Sequence, residues 1–392
     1  MTANLIIGQS GGGTAVINSS LVGAVREAQR HSEIGRVFGM LNGVEGLLGD
    51  QVIDLTAQND MVLDRLLTTP SSALGSCRFK VGGSDLDQLL TSLRRRDIRY
   101  VLYIGGNDSA ESAHQLALAA TRAGHELQVV AAPKTIDNDL PETDHCPGYG
   151  SAARFLAIVT MEMDLDAWAM RSVEPVRFLE VKGRNSGWLA AACALGRATE
   201  AMAPHLVCIP ERPFVEEDFL VALDNCYRRH GYAVVIMPET QRDAHGKLLG
   251  SHGSAWRDQY GHEYSLGTEG YLIDLVSRHL GVRARYDRPG FLHKTSLLHV
   301  SDVDRREAYL VGQEAVCAAL RGESDVMVIL RRTSNEPYSC DVATIELPRI
   351  AGGERYLPDN YVSLDGTSID PDFINYLRPL VGGNLPTFAH LR

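Results

Sequence analysis

The sequence predicts an α/β protein built from two domains. Short apolar runs alternate with segments of helical period along most of the chain, as strands interleaved with helices do. Its 392 residues also exceed what a single hydrophobic core usually serves. Three of the apolar runs end in glycine- or aspartate-bearing turns, and open parallel sheets collect their ligands beyond such strand ends.

In chain order, the compact apolar runs read as strands over Leu5–Gln9, Arg36–Met40, Tyr100–Ile104, Leu127–Ala132, Val176–Val181, Leu206–Ile209, Ala233–Met237, Arg283–Arg288 and Val326–Leu330. Between them, helical period predicts helices over Ala15–Arg30, Leu86–Arg95, Ser109–Ala123, Ala152–Leu165, Trp188–Ala198, Glu216–His230, Glu269–Leu280 and Asp302–Arg321. The polar, glycine-bearing stretch Gln241–Gly267 breaks this rhythm and reads as a long surface excursion. After Arg331, Pro, Gly and Asp predominate, and the expectation is an irregular C-terminal wrap.

Bulk charge narrows the partners. With 38 basic and 49 acidic residues the net charge is −11, which argues against general binding to nucleic acid or anionic membranes. It leaves room for a phosphorylated substrate at a local basic cluster. No apolar run reaches the roughly 18 residues of a membrane span. Met1-Thr2-Ala3-Asn4 leads at once into a strand, so no signal peptide is expected. Seven scattered cysteines without a C-x-x-C pair fit free thiols in a cytoplasmic protein.

Three turns carry candidate chemistry. Ser10-Gly11-Gly12-Gly13-Thr14 follows the first strand and precedes a helix, where glycine backbone can approach an anion and the helix N-terminus favours it. It has neither G-x-G-x-x-G nor the G-K-[ST] ending of a P-loop, and an ordinary tight turn is the other reading. Gly105-Gly106-Asn107-Asp108-Ser109 repeats the plan, with Asp108 serving either as a helix cap or as one side of a cation site. Pro133-Lys134-Thr135-Ile136-Asp137-Asn138-Asp139 sets two carboxylates beside a lysine. One carboxylate can take a proton from a substrate hydroxyl while the other holds metal or the loop; the alternative is an Asx-rich turn.

Together these motifs resemble the phosphofructokinase superfamily. P-K-T-I-D-N-D at Pro133–Asp139 is the specific element, with Gly105–Ser109 and Gly11-Gly12 upstream of it. Gly75-Ser76-Cys77-Arg78-Phe79 looks like the family's donor-phosphate arginine segment, and Glu180-Val181-Lys182-Gly183-Arg184 stands where the family has E-V-M-G-R. Pro238-Glu239 falls at the family's sugar-binding glutamate, and Arg285 through Lys294 at its 6-phosphate region. Order and spacing hold to about Leu330.

The resemblance implies two α/β/α three-layer domains with the active site in the cleft between them. A donor domain would comprise 1–146 plus about 290–330, an acceptor domain 147–289, and an irregular extension 331–392. It implies reversible transfer of a phosphoryl group to the 1-hydroxyl of fructose 6-phosphate, with Asp137 as base. Thr135 would contact the same end of the acceptor, and Gly11, Gly12, Arg78 and Lys134 would hold the donor. Arg184 would face the reacting phosphates. Lys182, Gly183, Glu239, Arg285, Phe291 and Lys294 would complete the acceptor set. Mg2+ would sit at Asp108 and Asp137, with Asn107 standing where many members carry an acid. A homodimer or homotetramer is implied as well.

Two residues point to the donor. By the resemblance, members that use ATP carry small residues where this chain has Asp108 and Lys134, and members that use pyrophosphate carry Asp and Lys. The physics agrees: Asp108 adds bulk and like charge where an α-phosphate must pass, and Lys134 offsets charge on pyrophosphate as it loses its phosphoryl unit. Two residues depart from the acceptor pattern: Lys182 stands where the family has a methionine that packs against the sugar, and Lys294 where it has arginine, lysine being a less directional phosphate ligand. They leave open another acceptor, such as sedoheptulose 7-phosphate. Asn107 with the altered acceptor pocket leaves open a non-catalytic subunit that senses sugar phosphates.

Overall fold

The computed structural model describes residues 2–79, 81–250, 267–363 and 367–389, and the backbone at 256–257 and 263–264. The chain divides into two compact units. The first is Met1–Ser151, Lys294–Arg355 and Pro379–Gly382; the second is Ala152–His293, Tyr356–Arg378 and Gly383–Arg392.

The strands in chain order are β1 (Ala3–Gln9), β2 (Ile34–Met40), β3 (Val52–Asp54), β4 (Ile98–Gly105), β5 (Gln128–Pro133), β6 (Val176–Val181), β7 (Leu206–Val207), β8 (Ala233–Pro238), β9 (Trp256–Arg257), β10 (Glu263–Tyr264), β11 (Ala284–Asp287), β12 (Val326–Asn335) and β13 (Tyr338–Glu346). Seven of them form the sheet of the first unit, in the order β13-β12-β5-β4-β1-β2-β3. Its central pairs β2/β1, β1/β4, β4/β5 and β5/β12 are parallel, and the two edge pairs are antiparallel. Parallel strands covered on both faces need apolar residues throughout, which is why β1, β4 and β5 read as unbroken runs in the sequence.

Successive β1 side chains serve opposite faces of that sheet. Ile6 packs with Val101, Val129 and Leu116 on one side, and Leu5 and Ile7 pack with Leu102, Val130 and Leu21 on the other. The second face is closed by the helices Ile17–Ala28 and Asp302–Leu320, whose backbones nearly touch. A Cβ added at Gly23 would lie 2.1 Å from the Tyr309 carbonyl oxygen, and one at Gly312 would lie 2.0 Å from that of Ser20.

The second unit carries a wholly parallel sheet of order β11-β6-β8-β7. Its core gathers Phe178, Val235, Leu223, Leu272 and Val276. Trp188 meets Tyr361, Phe373 and Tyr376, which ties the late helix Pro371–Leu377 to this unit.

Several expectations change. Beyond Arg331 the chain is not wholly irregular: β12 runs on to Asn335 and turns into β13, with Arg331 opposite Asp341 and Leu330 opposite Val342. The polar half-exposed residues of this hairpin hide its alternation. The helix expected over Trp188–Ala198 stops at Ala192 and continues as a 3-10 turn over Cys193–Gly196. The helices Gly43–Leu48 and Asp60–Leu66 and the strand β3 are too short to show a period. Of the expected excursion Gln241–Gly267, residues 251–255, 258–262 and 265–266 lie outside the described residues. Among the described residues no helix is long and apolar enough to cross a membrane.

Candidate active site

Strand register in the first unit brings the candidate donor residues together. Gln9 pairs with Ile104, and Gly105 with Pro133, so β1, β4 and β5 end side by side. Ser10 N–H donates to Ile104 O, Gly11 N–H to Cys77 O, and Lys134 N–H to Gly105 O. The Arg78 segment is thereby pinned to the glycine loop, with the Ser76 hydroxyl also donating to Gly11 O at 2.6 Å.

Gly11 needs to be glycine for two reasons. Its φ is +75°, and an added Cβ would stand 3.0 Å from Lys134 Nζ. A Cβ at Gly12 would lie 3.7 Å from Lys294 Nζ. Lys134, Lys294 and Arg78 therefore gather positive charge at the glycine loop. Lys134 is buried, and burial pushes its ammonium down to about 8; Asp137 and Asp139 favour the charge, while Lys294 and Arg78 oppose it. Asp108 is exposed in the first turn of the helix Asn107–Arg122. The Oδ1 of Asn107 is buried and, among the described residues, accepts no hydrogen bond.

The loop after Lys134 is rigidly furnished. Asp137 N–H donates to the Thr135 hydroxyl oxygen at 3.1 Å, and that hydroxyl hydrogen-bonds the Asp139 carboxylate. Thr135 thus organises the two aspartates. Burial pushes the Asp139 carboxyl up, with Glu354 adding to the push and Thr135 and Lys134 resisting it. Asn138 takes a left-handed φ of +56°, a conformation costing about 1 kcal/mol, and its Oδ1 accepts from Cys146 N–H at 3.0 Å. At the loop's far end, buried Asp304 accepts from the N–H groups of Gly148 (2.8 Å) and Ser151 (3.0 Å), fixing the start of the helix Tyr149–Ala169.

The candidate acceptor residues, apart from Lys294, Thr135 and Asp137, lie in the second unit. Val181 pairs with Pro238, so Lys182 and Glu239 leave adjacent strand ends, and their side chains form an ion pair of 2.8 Å. Gly183 has φ +115°, and a Cβ there would press to 2.4 Å from the Ser186 carbonyl oxygen. Arg184 follows, half-buried. Arg285 is held by the Glu174 carboxylate, which also meets Arg177 at 3.4 Å and Arg283 at 3.5 Å. Phe291 is 65% exposed. Lys294, which the sequence groups with Arg285, belongs to the first unit and stands by Gly12.

Sequence reading missed two features here. Glu180 receives Arg288 at 2.8 Å and the Tyr286 hydroxyl at 2.9 Å, so the first residue of the Glu180–Arg184 motif braces β6 against β11. Arg355, in the late segment without a motif, donates to the backbone of the aspartate loop. No sequence signal marks it.

The second unit also holds a cavity of about 1200 Å3 beside the helix Glu216–His230, containing none of the candidate residues. His205, Cys226 and His230 cluster on its wall in a spacing that could hold a metal. Yet His205 Nδ1 accepts from Val234 N–H, which leaves the proton on Nε2 and takes this imidazole out of a ligand set.

Comparison with known proteins matches this geometry to one family. The sequence profile described as Phosphofructokinase matches residues 4–319. The chain is 36% identical over 394 residues to a pyrophosphate–fructose 6-phosphate 1-phosphotransferase of Methylococcus capsulatus, covering 98% of this chain and 93% of the relative. It is 33% identical over 357 residues to a sulfofructose kinase of Alkalicoccus urumqiensis, covering 91% of each. The crystal structure of a pyrophosphate-dependent phosphofructokinase from Marinobacter aquaeolei matches with a TM-score of 0.88 at 35% identity, covering 99% of this chain and 94% of that one.

Proposed function

The chain belongs to the phosphofructokinase family, and on that premise we propose that it transfers a phosphoryl group from pyrophosphate to the 1-hydroxyl of fructose 6-phosphate. The products are fructose 1,6-bisphosphate and phosphate, and the reaction runs in both directions. One observation carries the donor assignment: a buried lysine ammonium, Lys134, stands at the glycine loop, with the acidic Asp108 in the turn that flanks it. With no adenosine to grip, donor affinity has to come from charge placed directly on phosphate oxygens. Lys134, Arg78 and Lys294 supply that charge.

Asp137 takes the proton from the attacking hydroxyl, and Thr135 holds its loop in register through the Asp137 amide. The glycine-loop amides and the three cations then stabilise charge on the transferring group. Lys182, Gly183, Arg184, Glu239, Arg285 and Phe291 serve the acceptor. The oxygen-rich set Asn107, Asp108 and Asp137 suits Mg2+, and the unfilled Oδ1 of Asn107 fits that use. When bound there, Mg2+ offsets charge on pyrophosphate.

The purified protein, given Mg2+, pyrophosphate and fructose 6-phosphate, should form the bisphosphate. Asp137→Asn should lower kcat by about 10²–10⁴-fold. No bisphosphate from the wild-type protein sinks the proposal. A second acceptor reading rests on Lys182 and Glu239, which neutralise each other at the acceptor position, and on the relative named a sulfofructose kinase. A panel of fructose 6-phosphate, sedoheptulose 7-phosphate and sulfofructose decides between them.

A further inference from the structure

The family profile ends at residue 319, yet the aspartate loop is held by a residue well beyond it. Arg355 approaches Asn138–Asp144 with both its backbone and its side chain. Its N–H donates to Asp139 O at 2.7 Å. Its Nε and one terminal nitrogen donate to Asn138 O at 3.2 and 2.9 Å, and the other terminal nitrogen donates to Thr143 O and Asp144 O at 2.5 and 2.6 Å. One residue thus satisfies the carbonyls of four others in the loop, the first of them next to Asp137. We propose that Arg355 is a positioning residue for Asp137, recruited from the C-terminal segment; the inference rests on the catalytic reading given above.

Two features make the loop dependent on an outside clamp. Asn138 occupies the left-handed region, at a cost of about 1 kcal/mol, and contacts on both sides hold it there. One side is Cys146 N–H on Asn138 Oδ1, and the other is the Arg355 guanidinium on Asn138 O. The clustered carbonyl oxygens carry partial negative charge, and the planar fork of a guanidinium meets several of them at once. A lysine offers a single point of charge and cannot span from Asn138 O to Asp144 O.

Arg355 touches neither donor nor acceptor by this account, so its loss should act on the chemical step. Arg355→Ala should lower kcat by about ten- to a hundredfold, as expected for a base displaced by up to 1 Å, with KM for pyrophosphate within about twofold. Arg355→Lys should fall between, at least about threefold below wild type, and millimolar methylguanidinium should restore part of the alanine variant's kcat. Hydrogen exchange of amides 137–146, read by mass spectrometry, should quicken in both variants while the sheet of the first unit stays protected. The exchange readout needs no turnover. A wild-type protein without phosphotransferase activity but with the loop loosened in Arg355→Ala overturns the function and keeps the clamp. Unchanged exchange, or kcat within twofold of wild type in either variant, overturns the clamp. If the alanine variant does not fold, the lysine variant decides by the same two readouts.

Discussion

Lys182 Nζ lies 2.8 Å from Glu239 Oε2, each side chain leaving the end of its own strand in the parallel pair β6/β8. The family's methionine at that place has no such partner to offer. Here the carboxylate assigned to the sugar already holds a cation, and a sugar hydroxyl has to compete with it. Lys182→Met should therefore free Glu239 as an acceptor and lower KM for fructose 6-phosphate about threefold. That is ~0.6 kcal/mol, in the range of one partly exposed ion pair. KM for pyrophosphate should not move. Initial-rate kinetics on both substrates check this, and a rise in KM for fructose 6-phosphate would mean that the ammonium itself grips the acceptor.

Lys134 makes opposite demands on activity and stability. Burial sets its pKa at about 8, so the ammonium assigned above to the donor is present below pH 8 and lost above it. In the free enzyme, kcat/KM for pyrophosphate should fall about tenfold per pH unit on the alkaline side, and Lys134→Met should remove that limb along with most of the activity. In the unfolded chain the same group holds its proton to about pH 10.4. Between the two values the unfolded state binds more protons, so this lysine makes stability rise with pH across that window. Urea unfolding at pH 8 and pH 10, wild type against Lys134→Met, isolates the contribution; a wild-type gain no larger than the variant's refutes it.

Much of this site was legible from residues alone, and what was missed has a common cause. β1, β4 and β5 are buried on both faces, so they stand out as apolar runs, and the turns at their ends carry glycines whose φ or close approach admits nothing else. Gly11 beside Lys134 is such a case. Arg355 binds backbone carbonyls, which every residue possesses, so no partner residue type betrays it. The β12–β13 hairpin hid for a related reason: its outer strand is half-exposed along its length and presents no apolar run. The Lys182–Glu239 pair needed strand register, since 57 residues separate the partners.

His145 should be a structural keystone with a pH signature. It is 2% exposed, with Nδ1 2.8 Å from Asp144 and Nε2 2.6 Å from Glu307. Burial works against its charge, but the two carboxylates prevail and raise the imidazole to about 9. A raised basic pKa contributes stability in full below the unfolded value near 6.5 and loses it as pH climbs through 9. His145→Leu leaves two carboxylates facing each other in the interior and should cost about 3–5 kcal/mol at pH 6. The gap to wild type should narrow by pH 10. Denaturant titrations at the two pH values measure both effects, and an equal gap at each would show that the imidazole is neutral throughout.

Donor choice is the sharpest test of the site, because it separates charge from space. Asp108 occupies the first turn of the helix Asn107–Arg122, which Gly106 alone separates from the end of β4 at Gly105. A Cβ added at Gly106, the residue before this helix, would stand 3.4 Å from Lys134 O, so the turn that leads to Asp108 packs in van der Waals contact with the Lys134 backbone. If Asp108 and Lys134 fill the room an inner phosphate needs, replacing both with glycine should raise kcat/KM for ATP at least about tenfold. The same change should lower that for pyrophosphate by about a hundredfold or more, since the buried ammonium is gone. Removing Asp108 from a helix N-terminus costs only about 0.5 kcal/mol, too little for misfolding to mimic the loss. Parallel kinetics with ATP and pyrophosphate on Asp108→Gly, Lys134→Gly and the double variant assign bulk and charge to each residue. A double variant that loses pyrophosphate without gaining ATP would place the barrier to ATP elsewhere and leave only the charge role standing.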